Sequence, residues 1–231
     1  MKEDPWNLRE LLQKHTGLAV QPKQDEDLIV AGHLRFRAES ELYGEVEDSF
    51  ELEIVVPRRF SAELPAVREV GGRISKDFHR NPDGTLCLGS PLRLRMTLGG
   101  SASLTVFVER CVFPFLFGFV TYEKHGSLPF DELDHGTPGL LDEYCEILRI
   151  EDRGRCLDLL ELVGINKRIA NKRPCPCGSG KRVGRCHHRI LNRLRPVASR
   201  SWLKGHVAEL RRMQELERLP HSRRRAVKIR S

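Results

Sequence analysis

The sequence lacks an apolar run long enough to cross a membrane. Its longest apolar stretch, residues 111–120, is ten residues long and is interrupted by Pro114, whereas a membrane-spanning helix needs roughly 20 residues. The opening residues MKEDPWNLRE contain acidic side chains and no apolar stretch, so they do not have the layout of a secretory signal. These absences predict a cytoplasmic protein that does not enter a membrane.

Internal repeats, low-complexity tracts and glycine-rich phosphate loops are also missing. Without such a loop, nothing in the sequence has the form of a nucleotide-activating site. Disulfides are not expected either, because the seven cysteines lie in a chain without an export signal, where thiols stay reduced. The cysteines are better explained as metal ligands, as a nucleophile or as core residues.

Length and composition describe a soluble globular protein with one well-packed domain and a smaller appendage. The chain has 231 residues, of which 39% are hydrophobic and 31% are charged, a balance unlike that of disordered or membrane proteins. Residues 1–150 carry 17 basic and 25 acidic side chains, whereas residues 151–231 carry 22 and 7. The acidic and basic parts are therefore expected to face different partners.

Apolar alternation predicts a β-sheet in the first part of the chain. In residues 50–56 apolar side chains alternate with mostly polar ones, which is typical of a half-buried strand. Residues 28–37 and 66–70 have the composition of neighbouring strands in an antiparallel meander. The prolines after residue 56 predict a turn or an extended surface segment, with irregular structure continuing to about Pro91.

Helical spacing of apolar residues predicts several helices around and after the sheet. An opening helix is expected after Asp4 and Pro5, an N-cap followed by a first-turn proline. A second helix is expected to be kinked or restarted at Pro114, and a third, beginning at residues 137–138, closes the first domain. Residues 151–170 and an arginine-rich final segment are also expected to be helical. The residues that carry these patterns are Leu8, Leu11 and Leu12; Leu104, Phe107, Val108 and Cys111; Leu141, Tyr144, Cys145 and Leu148; and Trp202, Leu203, Val207, Leu210 and Met213.

Cysteine and histidine are concentrated in the segment RPCPCGSGKRVGRCHHR. Cys175 and Cys177 are separated by one residue, and Cys186 follows after eight intervening residues, beside His187 and His188. Zinc takes four sulfur or nitrogen ligands tetrahedrally, and the glycines of the CGSG turn allow two short ligand pairs to converge. Since almost no apolar residues surround the segment, a metal has to supply its folding energy. The spacing therefore predicts a zinc site with either His187 or His188 as the fourth ligand.

The same residues resemble the SEC-C motif, a short zinc module known from the tail of the bacterial secretion ATPase and appended to many other proteins. The match covers residues 171–189 and includes the whole C-x-C-x8-C-H pattern with its CPCGSGK core. The resemblance implies a structural Zn(II) in a module that contacts proteins or nucleic acid. The arginines around it make this end attractive to phosphates or to an acidic protein surface. The ligands that the resemblance implies are Cys175, Cys177, Cys186 and His187, with His188 as a substitute.

A second resemblance lies in the acidic part, in the stretch FELEIVVPRRFSAELPAVREVGGRISKDFHRNPDGTLCLGSP. A strand, a proline-broken segment, a His-x-Asn triplet and a Gly-Thr-Leu-Cys-Leu run follow one another, an order similar to that of the ubiquitin-conjugating enzyme family. The resemblance spans residues 1–150 and implies an α+β fold, with an antiparallel meander sheet flanked by helices. A helical linker over residues 151–170 and a small helical zinc module over residues 171–231 are expected to follow.

The residues of the family's active site have counterparts in this chain. The family has a His-Pro-Asn motif before its nucleophilic cysteine, and His79, Asn81 and Cys87 match it. The match implies that Cys87 carries an acyl group as a thioester, since sulfur is both a good nucleophile and a good leaving group. It gives Asn81 the role of stabilising the oxyanion and His79 that of bracing the loop. Arg80 replaces the proline, the interval from asparagine to cysteine is shorter than usual, and Gly89 stands where an acidic residue often follows the Cys-Leu pair.

Later residues connect this resemblance with a divergent bacterial branch of the family. The segment YEKHGSLPFDELDHGTPGLLDEY resembles a stretch of that branch, whose members occur beside antiphage defence genes such as cyclic-oligonucleotide signalling systems. His125, Asp131, Asp134 and His135 are candidates for acid-base assistance, and a solvated loop is the simpler explanation of each. The resemblance thus implies transfer of a ubiquitin-like protein, or another activated C-terminal carboxylate, from Cys87 to a target lysine, with a separate activating enzyme as partner.

Two other functions fit the same residues. In one, the first domain is a non-catalytic scaffold, and the zinc module with its arginine-rich helices docks protein or RNA. In the other, Cys87 and His79 form a cysteine hydrolase, although no third orienting residue is evident. Cys87 also has a structural explanation, a small half-buried residue on a short strand, whereas its place behind a Pro-Asp-Gly turn favours exposure. Cys111, Cys145 and Cys156 lie on predicted apolar helical faces and are expected in the core.

Overall fold

The chain forms two compact units, Met1–Glu132 and Leu133–Ser231. The computed structural model describes residues 4, 6–22, 27–129 and 136–218. In these residues the first unit combines a four-stranded antiparallel sheet with helices, and the second is mostly helical. The predicted α+β class is therefore confirmed.

The sheet of the first unit is an antiparallel meander in which neighbours in sequence are neighbours in space. Its strands are β1 (Leu18–Val20), β2 (Leu28–Ser40), β3 (Gly44–Val56) and β4 (Ala66–Glu69). β2 and β3 form a long hairpin in which Leu28 lies opposite Val56 and Ser40 lies opposite Gly44. The three strands predicted from alternation are confirmed, and β1 is added at one edge.

Alternation along β3 defines the core face of the sheet. Phe50, Leu52, Ile54 and Val56 are each at most 2% exposed, whereas Glu51 is exposed. Slipping the strand by one residue would turn all four apolar side chains toward solvent, so their burial fixes the register of the hairpin.

A long helical stretch covers this core face. It consists of α3 (Leu104–Phe107), a π-helical turn (Val108–Val112) and α4 (Phe113–His125). The Phe119 ring lies 5.8 Å from the Phe50 ring, and the Phe113 ring lies 5.8 Å from the Phe36 ring. Pro114 occupies the first turn of α4, where its missing N–H costs no intrahelical hydrogen bond. The sequence predicted a kink or a restart at this proline; the backbone stays helical there, and the hydrogen-bond pattern changes from π to α at Phe113.

The stretch Leu104–His125 also has the length and composition of a membrane-crossing helix, with a mean hydropathy of 1.6. In the structure, however, 67% of its apolar window is buried inside the protein. Its apolar character is accounted for by the packing on the sheet, as in the core helix of a soluble protein. The cytoplasmic location stays a prediction.

Two shorter helices complete the described part of the first unit. They are α1 (Leu8–Lys14) and α2 (Pro91–Leu98). The Asp4 carboxylate accepts hydrogen bonds from the backbone nitrogens of Leu8 and Arg9 at 2.7 and 3.0 Å, so it satisfies two unpaired donors at the start of α1. The N-cap position of α1 is Asn7, so the predicted N-cap at Asp4 lies three residues too early, and Pro5 lies outside the described residues.

Helices dominate the second unit. They are α5 (Gly136–Leu148), α6 (Arg153–Gly164), α7 (Lys167–Lys172), a 3-10 helix (Val183–Arg185), α8 (His188–Leu194) and α9 (Arg200–Arg218). The Tyr144 hydroxyl lies 2.8 Å from Nε2 of His206, which ties α5 to α9. Because α5 packs within this unit, the two units divide before it, whereas the sequence interpretation counts it with residues 1–150. The helical linker 151–170 and the module 171–231 stay predictions as domain limits.

Candidate metal centre and cysteine loop

A short hairpin in the second unit presents the first two cysteines of the predicted metal site. The backbone nitrogen of Cys175 donates to the Lys181 oxygen at 2.8 Å, and that of Val183 donates to the Arg173 oxygen at 3.0 Å. The 3-10 helix that starts at Val183 then leads the chain to Cys186. Local backbone pairing therefore returns the third cysteine to the first two.

Two glycines make the turn of this hairpin possible. Gly178 and Gly180 have φ values of +83° and +70°, in the left-handed region that glycine adopts at little cost. A side-chain carbon at Gly178 would also lie 2.8 Å from Nη1 of Arg155, the guanidinium that donates to the Cys177 oxygen at 3.3 Å. The predicted CGSG turn thus forms, and a basic side chain closes over it.

Three thiols and one imidazole converge at this hairpin. The Nδ1 atom of His187 lies 3.2 Å from Sγ of Cys175 and 3.1 Å from Sγ of Cys186. The sulfurs of Cys177 and Cys186 are 3.5 Å apart, and all four donor atoms lie within 4.8 Å of one another. Four donors at such separations can surround one metal ion, and we call these residues the metal cluster.

The sequence left two histidines open as the fourth ligand, and the structure brings only one of them into the metal cluster. His187 contributes its Nδ1 atom, whereas His188 is the first residue of α8 and is not part of the cluster. The Nδ1 atom of His188 is buried and has no hydrogen-bond partner among the described residues. The adjacent histidines therefore differ in surroundings although the sequence treats them alike.

The thiols of the metal cluster differ in acidity. Burial raises the pKa of Cys175 to about 12. For Cys177 burial acts in the same direction, but hydrogen bonds with the side chain and backbone of Ser179 and with the neighbouring thiols lower its pKa to about 6. The Ser179 hydroxyl lies 3.2 Å from Sγ of Cys177. Since the thiolate is the form that binds metals, Cys177 is already prepared as a ligand at neutral pH.

The donor set of the metal cluster fits a metal ion. Three sulfurs and one imidazole nitrogen form one of the combinations found in structural zinc sites. Ca²⁺ and Mg²⁺ prefer oxygen ligands, and no carboxylate belongs to the cluster within the described part of the chain. The residues present are therefore suited to a soft or borderline cation.

Cys87 lies at the end of a different hairpin, in the first unit. Its backbone nitrogen donates to the His79 oxygen at 2.7 Å, and Arg80 pairs with Leu86 in the adjoining bridge. The Leu86 nitrogen donates to the Val67 oxygen at 2.7 Å, which attaches the hairpin to β4. Cys87 itself is exposed. We call residues 79–87 the cysteine loop.

The side chain of Asn81 is exposed but is held by hydrogen bonds across the turn of the cysteine loop. Its Nδ2 donates to Oγ1 of Thr85 at 2.9 Å and to the Leu86 oxygen at 3.4 Å. That oxygen belongs to the peptide group that carries the Cys87 nitrogen, so the amide lies one peptide from the cysteine. The side-chain and backbone hydrogen bonds from Thr85 lower the pKa of Asp83 in the same turn. The loop is thus an ordered turn built around Asn81.

A buried ion pair anchors the cysteine loop to the sheet. Nη2 of Arg80 lies 3.1 Å from Oε2 of Glu69, and the two side chains are 13% and 1% exposed. The guanidinium also donates to the Ile74 oxygen at 2.7 Å and to the Gly84 oxygen at 3.1 Å. The Glu69 carboxylate accepts from the backbone nitrogens of Arg73 and Ile74 at 3.1 and 3.2 Å. Arg80 therefore organises the segment before Cys87.

The other cysteines of the sequence are structural. Cys111, Cys145 and Cys156 are buried, as predicted. Burial raises the pKa of each, to about 11 for Cys111. Neutral thiols in a core are poor nucleophiles, so the exposed Cys87 differs from them in its availability for chemistry.

The acid-base candidates near the end of the first unit are only partly described. His125 ends α4 and is exposed, with its ring 5.4 Å from that of Tyr43. Asp131, Asp134 and His135 lie outside the described residues. Acid-base assistance by any of them stays a prediction.

Glu69 and Ser179 each support a candidate site, and neither was predicted as a functional residue from the sequence. For Glu69 a signal was available: Val67 and Glu69 occupy the same face of β4, and both are buried. An acidic residue at an apolar position of a strand is a sign of a buried partner. For Ser179 the sequence offered only its place inside the glycine turn.

No protein-family profile, curated protein or solved structure matches this chain significantly. The metal cluster and the cysteine loop are therefore the features that indicate a function.

Proposed function

We propose that this chain is a ubiquitin-conjugating-like enzyme that carries a ubiquitin-like protein, or another activated C-terminal carboxylate, as a thioester on Cys87. The observation behind the proposal is an exposed cysteine in an ordered hairpin that also holds His79 and Asn81. The helix-then-meander order of the first unit agrees with the family resemblance. The partners are an activating enzyme, the carried protein and a target lysine, in a bacterial antiphage defence system.

The chemistry is an exchange of one thioester for another, followed by aminolysis. The Cys87 thiolate attacks the carbonyl carbon of the thioester on the activating enzyme; a new C–S bond forms, the old one breaks, and the first sulfur leaves as a thiolate. A lysine amine then attacks the Cys87 thioester, an amide bond forms, and the Cys87 sulfur leaves. The amine proton goes to solvent. Both attacks require an accessible sulfur, which the cysteine loop provides.

Asn81 is the residue placed to assist both steps. Each attack creates an oxyanion on the carbon bound to Cys87, and a nearby amide N–H lowers the energy of that charge. The Asn81 bond to the Leu86 oxygen, at 3.4 Å, is the longer of its two contacts, so this donor is the one that turns to the oxyanion. His79 holds the facing backbone through its carbonyl group.

The proposal for the metal cluster is a structural Zn(II) bound by Cys175, Cys177, Cys186 and His187. It is supported by the donor set and by the mutual distances of the four atoms. Four protein ligands leave no open position for a substrate, so the metal's part is to fold the module and not to take part in the transfer.

A charging assay tests the transferase proposal. The zinc-loaded full chain is incubated with ATP and with pairs of a bacterial activating enzyme and its ubiquitin-like protein. We expect an adduct that thiol reductants release, and none with Cys87→Ala, because the exposed sulfur is the acceptor. The control is Cys111→Ala, which removes a buried thiol and leaves the adduct. An adduct that survives in Cys87→Ala, or no adduct with any partner pair, contradicts the proposal.

Replacing Asn81 is expected to slow transfer to lysine more than a substitution that only loosens the turn. Asn81→Ala removes the oxyanion donor, and the rate of lysine transfer from preformed Cys87 thioester should fall about 10²-fold. The matched control is Thr85→Val, which removes the 2.9 Å turn hydrogen bond but keeps the amide. Single-turnover discharge to free lysine measures both. Equal losses in the two variants would show that Asn81 acts only as a brace.

A second candidate function is a non-catalytic adaptor that binds protein or RNA through the second unit. The observation in its favour is the excess of basic over acidic residues in 151–231, 22 against 7. This function predicts that Cys87→Ala retains full biological activity while loss of the metal cluster abolishes it. The charging assay separates the two, since an adaptor forms no adduct.

A further inference from the structure

A cationic pocket lies in the second unit. Its volume is about 560 Å³, and none of the metal ligands lines it. Four of its lining residues are basic, Lys167, Arg168, Arg195 and Arg200, and none is acidic. A concave site of this size that is lined by four cations and no carboxylate is a candidate binding site for an anion.

The positive charge of the pocket is not neutralised by the protein. Within the described part of the chain, none of the four basic side chains forms an ion pair with a carboxylate. Burial and then the nearby charge of Arg200 lower the pKa of Arg195, so the two guanidiniums repel each other. An anion between them would replace this repulsion with attraction.

Arg195 is fixed in place before any ligand arrives. Its guanidinium donates to the backbone oxygens of Leu162 and Val163 at 2.9 and 3.0 Å, and also to that of Ile165. Its Nε atom is buried and has no partner among the described residues. Carbonyl groups at the end of α6 thus hold the cation without cancelling its charge.

The start of α9 adds to the positive potential. Ser199, which lines the pocket, accepts a hydrogen bond from the backbone nitrogen of Trp202 at 3.2 Å and so begins this 19-residue helix. The N-terminus of a helix carries partial positive charge. The four cations define the site, and the helix end strengthens it.

We propose that this pocket binds a phosphate group, either of a small phosphorylated anion or of a nucleic-acid strand. Arg168 and Arg200 can each donate two parallel hydrogen bonds from the planar guanidinium to phosphate oxygens. Arg195, whose Nη atoms already donate to backbone oxygens, contributes mainly its charge. A phosphate brings more charge into one pocket than a single carboxylate does. The site is separate from the Cys87 chemistry and gives the basic unit a defined ligand.

The test compares two double variants of the zinc-loaded full chain that lose the same charge. Lys167→Gln with Arg200→Gln removes two exposed cations from the pocket, and Arg193→Gln with Arg212→Gln removes two exposed cations outside its lining. Calorimetry measures binding of inorganic pyrophosphate, and fluorescence anisotropy measures binding of a labelled single-stranded RNA of about 12 nucleotides. Both use one fixed salt concentration.

We expect the pocket variant to lose about tenfold or more in affinity for at least one probe, while the control pair loses about twofold or less. If the pocket variant loses affinity for RNA, and pyrophosphate competes with RNA for the unmodified chain, the ligand is a phosphate of a nucleic-acid strand. A loss for pyrophosphate alone identifies a small anion. Equal losses in the two double variants, or no saturable binding of either probe to the unmodified chain, overturn the proposal. Zinc content and circular dichroism confirm that each variant is folded.

Discussion

Removing the metal is expected to unfold the hairpin and the 3-10 helix around the metal cluster while the first unit keeps its sheet. Structural zinc binds such modules with about 10–16 kcal/mol, which is comparable to the whole stability of a domain. Val183 is the one fully buried aliphatic side chain between Cys175 and His187 in this described segment, so packing cannot replace the metal. Without it, only a few hydrogen bonds hold the three thiols and the imidazole within 4.8 Å of one another.

The measurement is amide hydrogen exchange of residues 173–187 before and after chelation, together with the zinc content per chain. We expect one zinc per chain and loss of protection over this segment after chelation. His187→Ala should give the same loss, and the matched control His188→Ala should retain the metal, because only His187 places its nitrogen among the sulfurs. Zinc retained in His187→Ala but lost in His188→Ala would reverse the assignment.

Ligand spacing predicted the members of the metal cluster but not the choice between its histidines. A CxC pair, a glycine turn and a CH pair are a local pattern, and local backbone pairing is enough to bring them together. Which of His187 and His188 faces the sulfurs depends on where α8 begins. The sequence contains no marked signal for that boundary.

Periodicity predicted β2, β3, β4 and the long helix because each buries a regular apolar face. β1 was missed since it is short and its pairing depends on a close backbone approach. A side-chain carbon at Gly17 would lie 2.2 Å from the His33 oxygen, and Gly32 has a φ of +134°. α2 was missed although Ser90 caps it and Pro91 starts it, a start signal that lies just where the irregular stretch was expected to end.

The exposure of Cys87 could be predicted from its place behind a turn in the sequence. The ion pair that anchors the cysteine loop could not. Arg80 and Glu69 are eleven residues apart in sequence, and no pattern of charge spacing links a strand end to a loop. Tertiary packing alone brings the two together.

Breaking the ion pair between Arg80 and Glu69 is expected to be the most damaging single change in the first unit. Arg80→Met keeps much of the side-chain volume but leaves the Glu69 carboxylate, 1% exposed, without its counter-charge. Removing one partner of a buried pair costs about 3–5 kcal/mol. We therefore expect a loss of that size in the free energy of unfolding measured in urea, and slower charging of Cys87 because the segment before it is released.

Two controls separate the buried charge from a general effect of losing an arginine. Arg68→Met removes the partner of Glu53 on the same sheet, where both side chains are at least 34% exposed, and should cost about 1 kcal/mol or less. Glu69→Gln combined with Arg80→Met should be more stable than Arg80→Met alone, because no buried charge is left without its counter-charge. The single amide oxygen keeps one of the two backbone bonds, since Arg73 donates to Oε1 and Ile74 donates to Oε2. If the double variant is less stable than the single, or if Arg68→Met costs as much as Arg80→Met, the pair does not anchor the loop. If the double variant regains both stability and charging of Cys87, the ion pair affects Cys87 only by keeping its loop ordered.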